Sequence, residues 1–317
     1  PGMWKKVPGW LLDAHGPLSI PLRNAPRVAR WLWRLHQATS RERVDGIADA
    51  LQPMLTTTVE KWRPLAEWAG VPELIRQEGY AFLYESRSAF ESDTLGRALR
   101  QTRGVAIDVL EGAAIRDFDP VISPRITHMV MLPEQGHCPN PLRLSQALAN
   151  RLREHGVILS AQLGSNVLLE TERGYHIMML QPDRMPRVPI MSGEGKYFLT
   201  PMETGLRVAG TVELAGLDAE PNYQRADDLL VRARTIVPEV QWKQTSKWMG
   251  HRPSLPDSKP VVGRAPNVPN ALFAFGHGHV GLTAAAPTAE IIADLAMGRE
   301  PGIDIRPFAA DRVAIRV

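Results

Sequence analysis

The fold of this chain is decided by one stretch, Trp248-Met-Gly-His-Arg-Pro-Ser-Leu-Pro-Asp-Ser-Lys-Pro-Val-Val-Gly263, and its continuation, Ala271-Leu-Phe-Ala-Phe-Gly-His-Gly-His-Val-Gly281. Arg252 comes first and is followed by a proline. Two short apolar runs, 260–263 and 271–275, are typical of strands. A glycine-rich turn then opens a helix predicted over 282–297. Because a helix N-terminus has free backbone N–H groups and the positive end of the helix dipole, this order predicts a site for negative charge.

The glycines of this turn let a backbone approach a flat or phosphorylated ligand closely. By itself, however, a strand–glycine–helix turn is more often an ordinary α/β connection than a cofactor site. Whether this turn is a cofactor site or an ordinary connection therefore depends on the motifs on either side of it.

Length and composition place the chain among globular proteins. Its 317 residues are enough for one large or two medium domains, and 44% apolar with 22% charged residues is close to the globular average. The net charge of +3 gives no argument for nucleic acid. One cysteine, Cys138, excludes an internal disulfide and a cysteine-based metal cluster, and it fits a reducing compartment.

Targeting signals are not visible in the sequence. No apolar run approaches the ~18 residues of a membrane span, and no signal peptide is recognisable. These observations predict a cytoplasmic protein. Because the first residue is Pro1 rather than Met, we expect that the chain has been processed or cut from a longer one.

The N-terminal quarter differs from the rest of the chain. Six of the eight tryptophans lie within residues 1–68, and residues 1–44 hold eight Lys or Arg against two acids. A basic segment with tryptophans can lie on an anionic membrane surface. A solvated basic face over a core explains the same pattern, and the sequence leaves both interpretations open.

Periodicity and end signals predict a mixed α/β (α+β) fold, with an antiparallel or mixed sheet and helices. The predicted helices begin near residues 26 and 43 and continue at 58–68, 88–103, 111–118, 141–156, 227–237 and 282–297. The predicted strands cover 79–84, 126–132, 157–159, 168–180, 196–210, 260–263 and 271–275. No internal repeat or low-complexity tract is present.

Several motifs together resemble one enzyme family. They are Lys259-Pro-Val-Val-Gly-Arg264, Leu272-Phe-Ala-Phe-Gly-His-Gly-His-Val-Gly-Leu-Thr283, Leu169-Glu-Thr-Glu-Arg-Gly-Tyr-His176, and the opening Pro1-Gly-Met-Trp-Lys-Lys-Val-Pro-Gly-Trp-Leu-Leu-Asp13. The chain resembles the D-amino-acid oxidase superfamily over most of its length, and its bacterial FAD-dependent D-amino-acid dehydrogenases in particular. The resemblance implies FAD, a substrate-binding sheet and a Rossmann-like FAD-binding domain.

Two parts of that FAD-binding domain are expected to be absent. The family opens with a strand and a Gly-x-Gly-x-x-Gly turn that holds the cofactor pyrophosphate, and we expect no such fingerprint in this chain. After the predicted strand 157–159, Ala161-Gln162 runs directly into Leu163-Gly-Ser, as though an internal block of strands were missing. The predicted division is 1–135 and 163–250 for the substrate domain, with 136–162 and 251–317 for the incomplete FAD domain.

The resemblance also implies roles for individual residues. Arg252 would hold the α-carboxylate of the substrate through its planar fork of donors. Tyr197 would reach the same carboxylate through its hydroxyl, although an ordinary half-buried sheet tyrosine explains it equally well. His279 is a further candidate substrate contact. The flavin contacts would be Gly276, His277, Gly278, His279, Val280, Gly281, Leu282 and Thr283.

Other polar residues give weaker signals. His277 and His279 have no further ligands nearby in the sequence, so we expect no metal there. Glu172, Arg173, Tyr175 and His176 are interpreted as a polar sheet edge with a Glu172–Arg173 pair. No hydrolase elbow, phosphate-binding Gly-Lys-Ser loop or paired-carboxylate motif occurs.

The leading hypothesis is an FAD-dependent enzyme that oxidatively deaminates an amino acid, expected to be a D-amino acid, to a 2-oxo acid. Dehydrogenases of the resembled type pass electrons to a membrane quinone, which would give the N-terminal segment a role at the inner face of a bacterial membrane. The rival hypothesis is a truncated, non-catalytic member, or a chain that needs a partner subunit to complete its flavin site. A nucleic-acid-binding module has no motif behind it.

Overall fold

The computed structural model describes residue 4 and residues 7–13, 16–154, 167–266 and 268–315. The predicted strand 157–159 and the junction at residues 161–163 lie outside the described residues. The account below concerns the described part of the chain.

The helices carry end signals that the sequence makes visible. Asn140 accepts a hydrogen bond from the Arg143 backbone N–H at 3.0 Å ahead of the helix that begins at Pro141. Gly70, with φ of +75°, follows the helix that ends at Trp68. The helices are α1 Val7–Leu12, α2 Ala25–Ala38, α3 Arg41–Thr56, α4 Thr58–Trp68, α5 Arg87–Ser92, α6 Thr94–Gln101, α7 Ala113–Phe118, α8 Pro141–Glu154, α9 Gln224–Ile236 and α10 Gly281–Ala296.

Most strands belong to one mixed sheet. The strands are β1 Leu18–Ser19, β2 Tyr80–Tyr84, β3 Asp108–Glu111, β4 His128–Leu132, β5 Glu170–Leu180, β6 Ile190–Ser192, β7 Tyr197–Met202, β8 Gly205–Glu213, β9 Gln244–Ser254, β10 Val261–Ala265 and β11 Val268–Phe275. The large sheet has the order β3-β4-β2-β6-β7-β8-β5-β9, and β1 pairs with β8. A separate antiparallel hairpin is formed by β10 and β11.

One face of the large sheet is covered by α9 and forms the main core. Tyr175, Ile177 and Met179 alternate along β5 and pack there with Leu229 and Ala233 of α9. The hairpin of β10 and β11 packs in smaller clusters beside α10. Burial of these alternating apolar side chains fixes which face of each strand is inside.

Two tryptophans attach the N-terminal helices to the C-terminal segment. Trp31 of α2 donates its indole N–H to the Ser254 carbonyl at 3.3 Å, and Trp62 of α4 donates to the Leu282 carbonyl at 3.0 Å. Trp33 is instead 54% exposed, with the Arg34 guanidinium over its ring. The tryptophan-rich quarter therefore has a packing role, and part of it also faces solvent.

The predicted mixed α/β class is confirmed. The predicted helix 88–103 is wrong in continuity, because α5 and α6 are separated by Asp93, which leaves helical geometry with ψ of +38°. Glu111, predicted to be helical, ends strand β3. The sequence also missed β1, β3, β6 and β9. The domain division stays a prediction; its boundary between residues 250 and 251 lies inside β9.

Candidate active site

Strand β5 presents a polar row on the sheet face that α9 does not cover. Successive side chains of a strand point to opposite faces, so Glu172, Gly174 and His176 lie opposite the row that contains Tyr175. In the antiparallel pairing with β9, Arg252 is the partner of Glu172 and Trp248 is the partner of His176. Residues that are directly opposite in such a pair share a face. We call this face the polar face.

Arg252 lies across β5 rather than away from it. Its guanidinium occupies the space over Gly174, where the Cβ of any other residue would overlap it. The Nη1 atom is shielded from solvent and has no hydrogen-bond acceptor among the described residues. Burial lowers the pKa of Arg252 and the neighbouring Glu172 raises it, and an arginine stays charged under both influences. A buried donor without a partner is expensive, so this geometry suits an anionic ligand.

His176 lies on the same face and stacks on Trp248, with ring centroids 5.1 Å apart. Burial is the largest cause that lowers its pKa, and the charges of Arg207 and Arg252 lower it further, to about 4. At neutral pH the ring is therefore uncharged. The positive charge near it comes from the two arginines.

The glycine turn between β11 and α10 lies at the end of β9. Gly276 and Gly278 have φ of +77° and +50°, which side-chain-bearing residues adopt only with strain. His277 forms an isolated antiparallel bridge with Ser254, two residues beyond Arg252. The turn thus brings the N-terminus of α10, with its free backbone N–H groups, next to the polar face.

The two histidines of the turn have different surroundings. His279 is 60% exposed, and its Nδ1 lies 3.3 Å from Glu172 Oε2. Burial raises the pKa of Glu172, while Arg252 and Ser254 lower it. His277 Nε2 instead lies 3.1 Å from the Thr288 hydroxyl, inside the protein. Among the described residues no group of three or more His, Cys, Asp or Glu side chains could hold a metal ion.

The structure does not bring Tyr197 to Arg252. Tyr197 is 3% exposed, lies in the core against α9 and donates its hydroxyl to the Arg232 carbonyl at 2.8 Å. It pairs with Gly210, whereas the next residue, Phe198, pairs with Ala209, the partner of His176. At the level of His176, the side chain that β7 presents to the polar face is therefore Phe198, which has no hydroxyl.

The predicted Glu172–Arg173 pair is wrong, because neighbouring residues of a strand face opposite ways. Arg173 Nη1 lies 3.3 Å from Glu213 Oε2 on the core face. The cluster is also not at a sheet edge, since β5 lies between β8 and β9.

Sequence reasoning also missed Arg207 as a site residue. Arg207 is the β8 partner of Met178 and lies on the polar face. In the sequence, only the alternation of β8 could have indicated that its side chain lies on this face.

Comparison with known proteins gives the same family that the sequence motifs resemble. A family model described as FAD dependent oxidoreductase (DAO) matches residues 22–162 and 158–295. D-amino-acid oxidase from Bradyrhizobium diazoefficiens is 36% identical over 358 residues, which cover 98% of this chain and 85% of that protein. The chain belongs to the DAO family. This DAO-family chain is an FAD-dependent oxidoreductase, as the resemblance in the sequence predicted.

Solved structures give the same fold at lower identity. Glycine oxidase from Geobacillus kaustophilus is similar with a TM-score of 0.69 at 18% identity, covering 83% of each chain. Glycine oxidase from Bacillus cereus has a TM-score of 0.68 at 18% identity and covers 87% of this chain and 85% of its own. No helix among the described residues of the DAO-family chain is long and apolar enough to cross a membrane.

The alignments support a missing internal block in this DAO-family chain. The alignment to the Bradyrhizobium protein spans 358 positions, whereas the chain has 317 residues. At least 41 aligned positions are therefore gaps in this chain. The two segments matched by the family model meet at residues 158–162. That is where the sequence predicts the block to be absent.

The described residues fit the flavin end of FAD better than its pyrophosphate. The positive-φ Gly276 and Gly278 come just before the N-terminus of α10, and the His277–Ser254 bridge holds this turn near Arg252. The expectation that no Gly-x-Gly-x-x-Gly spacing occurs is wrong, since Gly276, Gly278 and Gly281 have it. However, β11 pairs antiparallel with β10, and the two parallel pairings among described strands join non-consecutive strands. A βαβ pyrophosphate unit is therefore absent from the described part of the chain.

Proposed function

We propose that this chain oxidises the Cα–N bond of an amino acid, in the D configuration, to an imine that water hydrolyses to a 2-oxo acid and ammonia. The observation that carries the proposal is Arg252, whose shielded and unpaired Nη1 lies on the polar face beside the glycine turn. The D configuration is supported by the Bradyrhizobium relative named D-amino-acid oxidase. FAD, when bound, supplies the chemistry by accepting the hydride that leaves Cα.

The reaction balances as amino acid, water and oxidised FAD giving 2-oxo acid, ammonia and reduced FAD. Within it, the chain's residues have the task of positioning. Arg252 holds the α-carboxylate by two parallel charge-assisted hydrogen bonds. Gly174 leaves the room in which the guanidinium lies flat over the sheet. Held in this way, the substrate is oriented at low entropic cost.

The glycine turn has an electrostatic task. Residues 276–283 would hold the flavin end of the cofactor, with the N-terminus of α10 stabilising negative charge that develops there. Glu172 links the turn to the substrate side, because it lies beside Arg252 and 3.3 Å from His279. The exposed Trp33 with Arg34 supports a peripheral contact with an anionic membrane as part of this proposal.

The test is a visible absorption spectrum of the purified chain with excess FAD, before and after a D-amino acid is added. We expect a bound flavin band that bleaches with the D-amino acid and not with its L enantiomer. Arg252→Ala should keep the flavin band and lower kcat/KM by at least about 100-fold, because a desolvated ion pair is lost. Arg87→Ala is the matched control, since the exposed Arg87 pairs with Glu91 on α5 at 2.8 Å.

Absence of flavin binding by the chain alone would contradict the proposal and favour the non-catalytic hypothesis. Flavin binding that appears only with a second protein from the same operon or lysate fraction would instead show that a partner completes the site. Equal loss of activity in Arg87→Ala and Arg252→Ala would remove Arg252 from its role.

A further inference from the structure

Arg207 is a second arginine on the polar face, and it has no acidic partner. Its Nε atom is shielded from solvent and finds no hydrogen-bond acceptor among the described residues. No carboxylate within ion-pair distance of Arg207 occurs in the part of the chain that the structure describes. Burial lowers its pKa, and the only neighbour that raises it is the thiol of Cys138. An arginine of this kind needs a counter-charge from outside the chain.

The position of Arg207 connects it to both parts of the site. Arg207 and Arg252 lie on the same side of the sheet, and both act electrostatically on His176 between them. Cys138, the neighbour of Arg207, lines a cavity of about 80 Å³ together with Leu282 and Thr283 of the glycine turn. Arg207 therefore lies on the polar face near His176, and its neighbour Cys138 lies near the start of α10.

The charges of the polar face do not balance for a neutral amino acid. Two arginines carry two positive charges, and Glu172 supplies at most one negative charge. His176 is uncharged at neutral pH because its pKa is about 4. A zwitterion with a neutral side chain would leave one positive charge uncompensated, whereas an amino acid with a second carboxylate would leave none. Because an uncompensated charge is costly in a shielded site, the free energy of binding should differ strongly between the two kinds of substrate.

Resting on the proposed function, we propose that the substrate is an acidic amino acid, whose side-chain carboxylate is bound by Arg207 while Arg252 holds the α-carboxylate. Arg207 is then the residue that determines specificity. Its planar fork suits a second carboxylate in the same way as that of Arg252.

The first test measures binding without turnover. Malonate, succinate and glutarate are titrated against the full chain by calorimetry, with acetate and propionate as monocarboxylate controls. We expect the best dicarboxylate to bind about 10- to 100-fold more tightly than either control, as one additional charge-assisted pair predicts. Arg207→Gln should abolish this preference, and Arg207→Lys should keep part of it. Equal affinities in the wild type, or an unchanged preference in Arg207→Gln, would overturn the proposal.

Folding of the variants is checked by a different substitution. If Arg207 is a shielded charge without a partner, Arg207→Met should melt at or above the temperature of the wild type in the absence of ligand, since replacing such a charge by an apolar side chain is neutral or stabilising. A clear fall in the melting temperature would show that Arg207 has a structural partner, and would also overturn the proposal.

The second test separates this inference from the proposed function. D-Glutamate is compared with D-glutamine, and D-aspartate with D-asparagine, as pairs of nearly equal shape. We expect kcat/KM to favour the acids about 10- to 100-fold. Equal rates for acid and amide would contradict the inference and leave the proposed function standing. Dicarboxylate binding without oxidation of any amino acid would contradict the proposed function and leave Arg207 as an anion site.

Discussion

The two faces of β5 differ in the partners of their buried arginines. On the core face, Arg173 lies 3.3 Å from Glu213 and donates to the Ala219 carbonyl at 2.7 Å. The Tyr175 hydroxyl donates to the same glutamate at 2.6 Å and accepts from the Asn222 backbone N–H at 3.0 Å. Shielded atoms without an acceptor occur on both faces, namely Arg173 Nε and Nη1 on the core face and Arg252 Nη1 and Arg207 Nε on the polar face. The difference is that Arg173 has a carboxylate at 3.3 Å, whereas among the described residues no carboxylate lies within ion-pair distance of Arg252 or Arg207.

The difference separates structure from binding. An arginine that lies beside a carboxylate of its own fold has its counter-charge and needs none from a ligand. A row of shielded donors without acceptors lowers stability, and such rows persist where a ligand completes them. Neighbouring residues of β5 therefore have different roles. The alternation of side chains along the strand decides which residue has a structural role and which has a binding role.

The largest effect on stability is expected on the core face. Arg173 is fully buried, so Arg173→Met leaves Glu213 without its cation and should lower the free energy of unfolding by about 3–5 kcal/mol. Urea denaturation measures this. The double variant Arg173→Met with Glu213→Gln should recover most of the loss. A loss below about 1 kcal/mol would show that the two faces do not differ as described.

A smaller and mainly functional effect is expected from Gly174→Ala. The new Cβ overlaps the Arg252 guanidinium, and since that is the end of a flexible side chain, Arg252 moves rather than the backbone. We expect ligand affinity at Arg252 to fall about 10-fold, or about 1.4 kcal/mol, with the melting temperature nearly unchanged. Gly46→Ala on α3 is the control, because a Cβ there meets nothing. It should leave binding intact and add about 0.5–1 kcal/mol of stability.

An effect of similar size is a pH dependence from the polar face. The folded-state pKa of His176 is about 4, below the ordinary value of about 6.5. The unfolded chain therefore binds more protons between these values, so His176 contributes stability above pH 6.5 that is lost as the pH falls toward 4.

Urea unfolding at pH 7 and pH 4.5 checks this prediction. The wild type should lose about 1–2 kcal/mol more than His176→Gln, allowing for solvent screening of the half-buried ring. Equal losses in the two proteins would mean that neither burial nor the arginine charges lower the pKa of His176 in the folded chain.

The sequence could predict features that are local or ordered along the chain. Caps and breakers located α4 and α8, and the order of arginine, hairpin and glycine turn placed Arg252 beside residues 276–283. The face of the sheet on which a side chain lies was harder to predict, because a one-residue error in alternation moves the side chain to the other face. Tyr197 was predicted at the site from the family resemblance, but the alternation of β7 turns its side chain to the core face. Arg207 has no local signal, because its significance depends on the absence of a carboxylate partner among the described residues.

The position of β9 affects how the site lets a ligand go. Among the described strands β9 has β5 as its only neighbour along most of its length, so its outer backbone groups are not held by a second strand. Separating β9 from the sheet breaks one row of hydrogen bonds, while freeing β5 would break two. Separation of β9 from β5 can then both open the sheet locally and release the ligand. An anion bound to Arg252 stabilises the closed state and slows this separation.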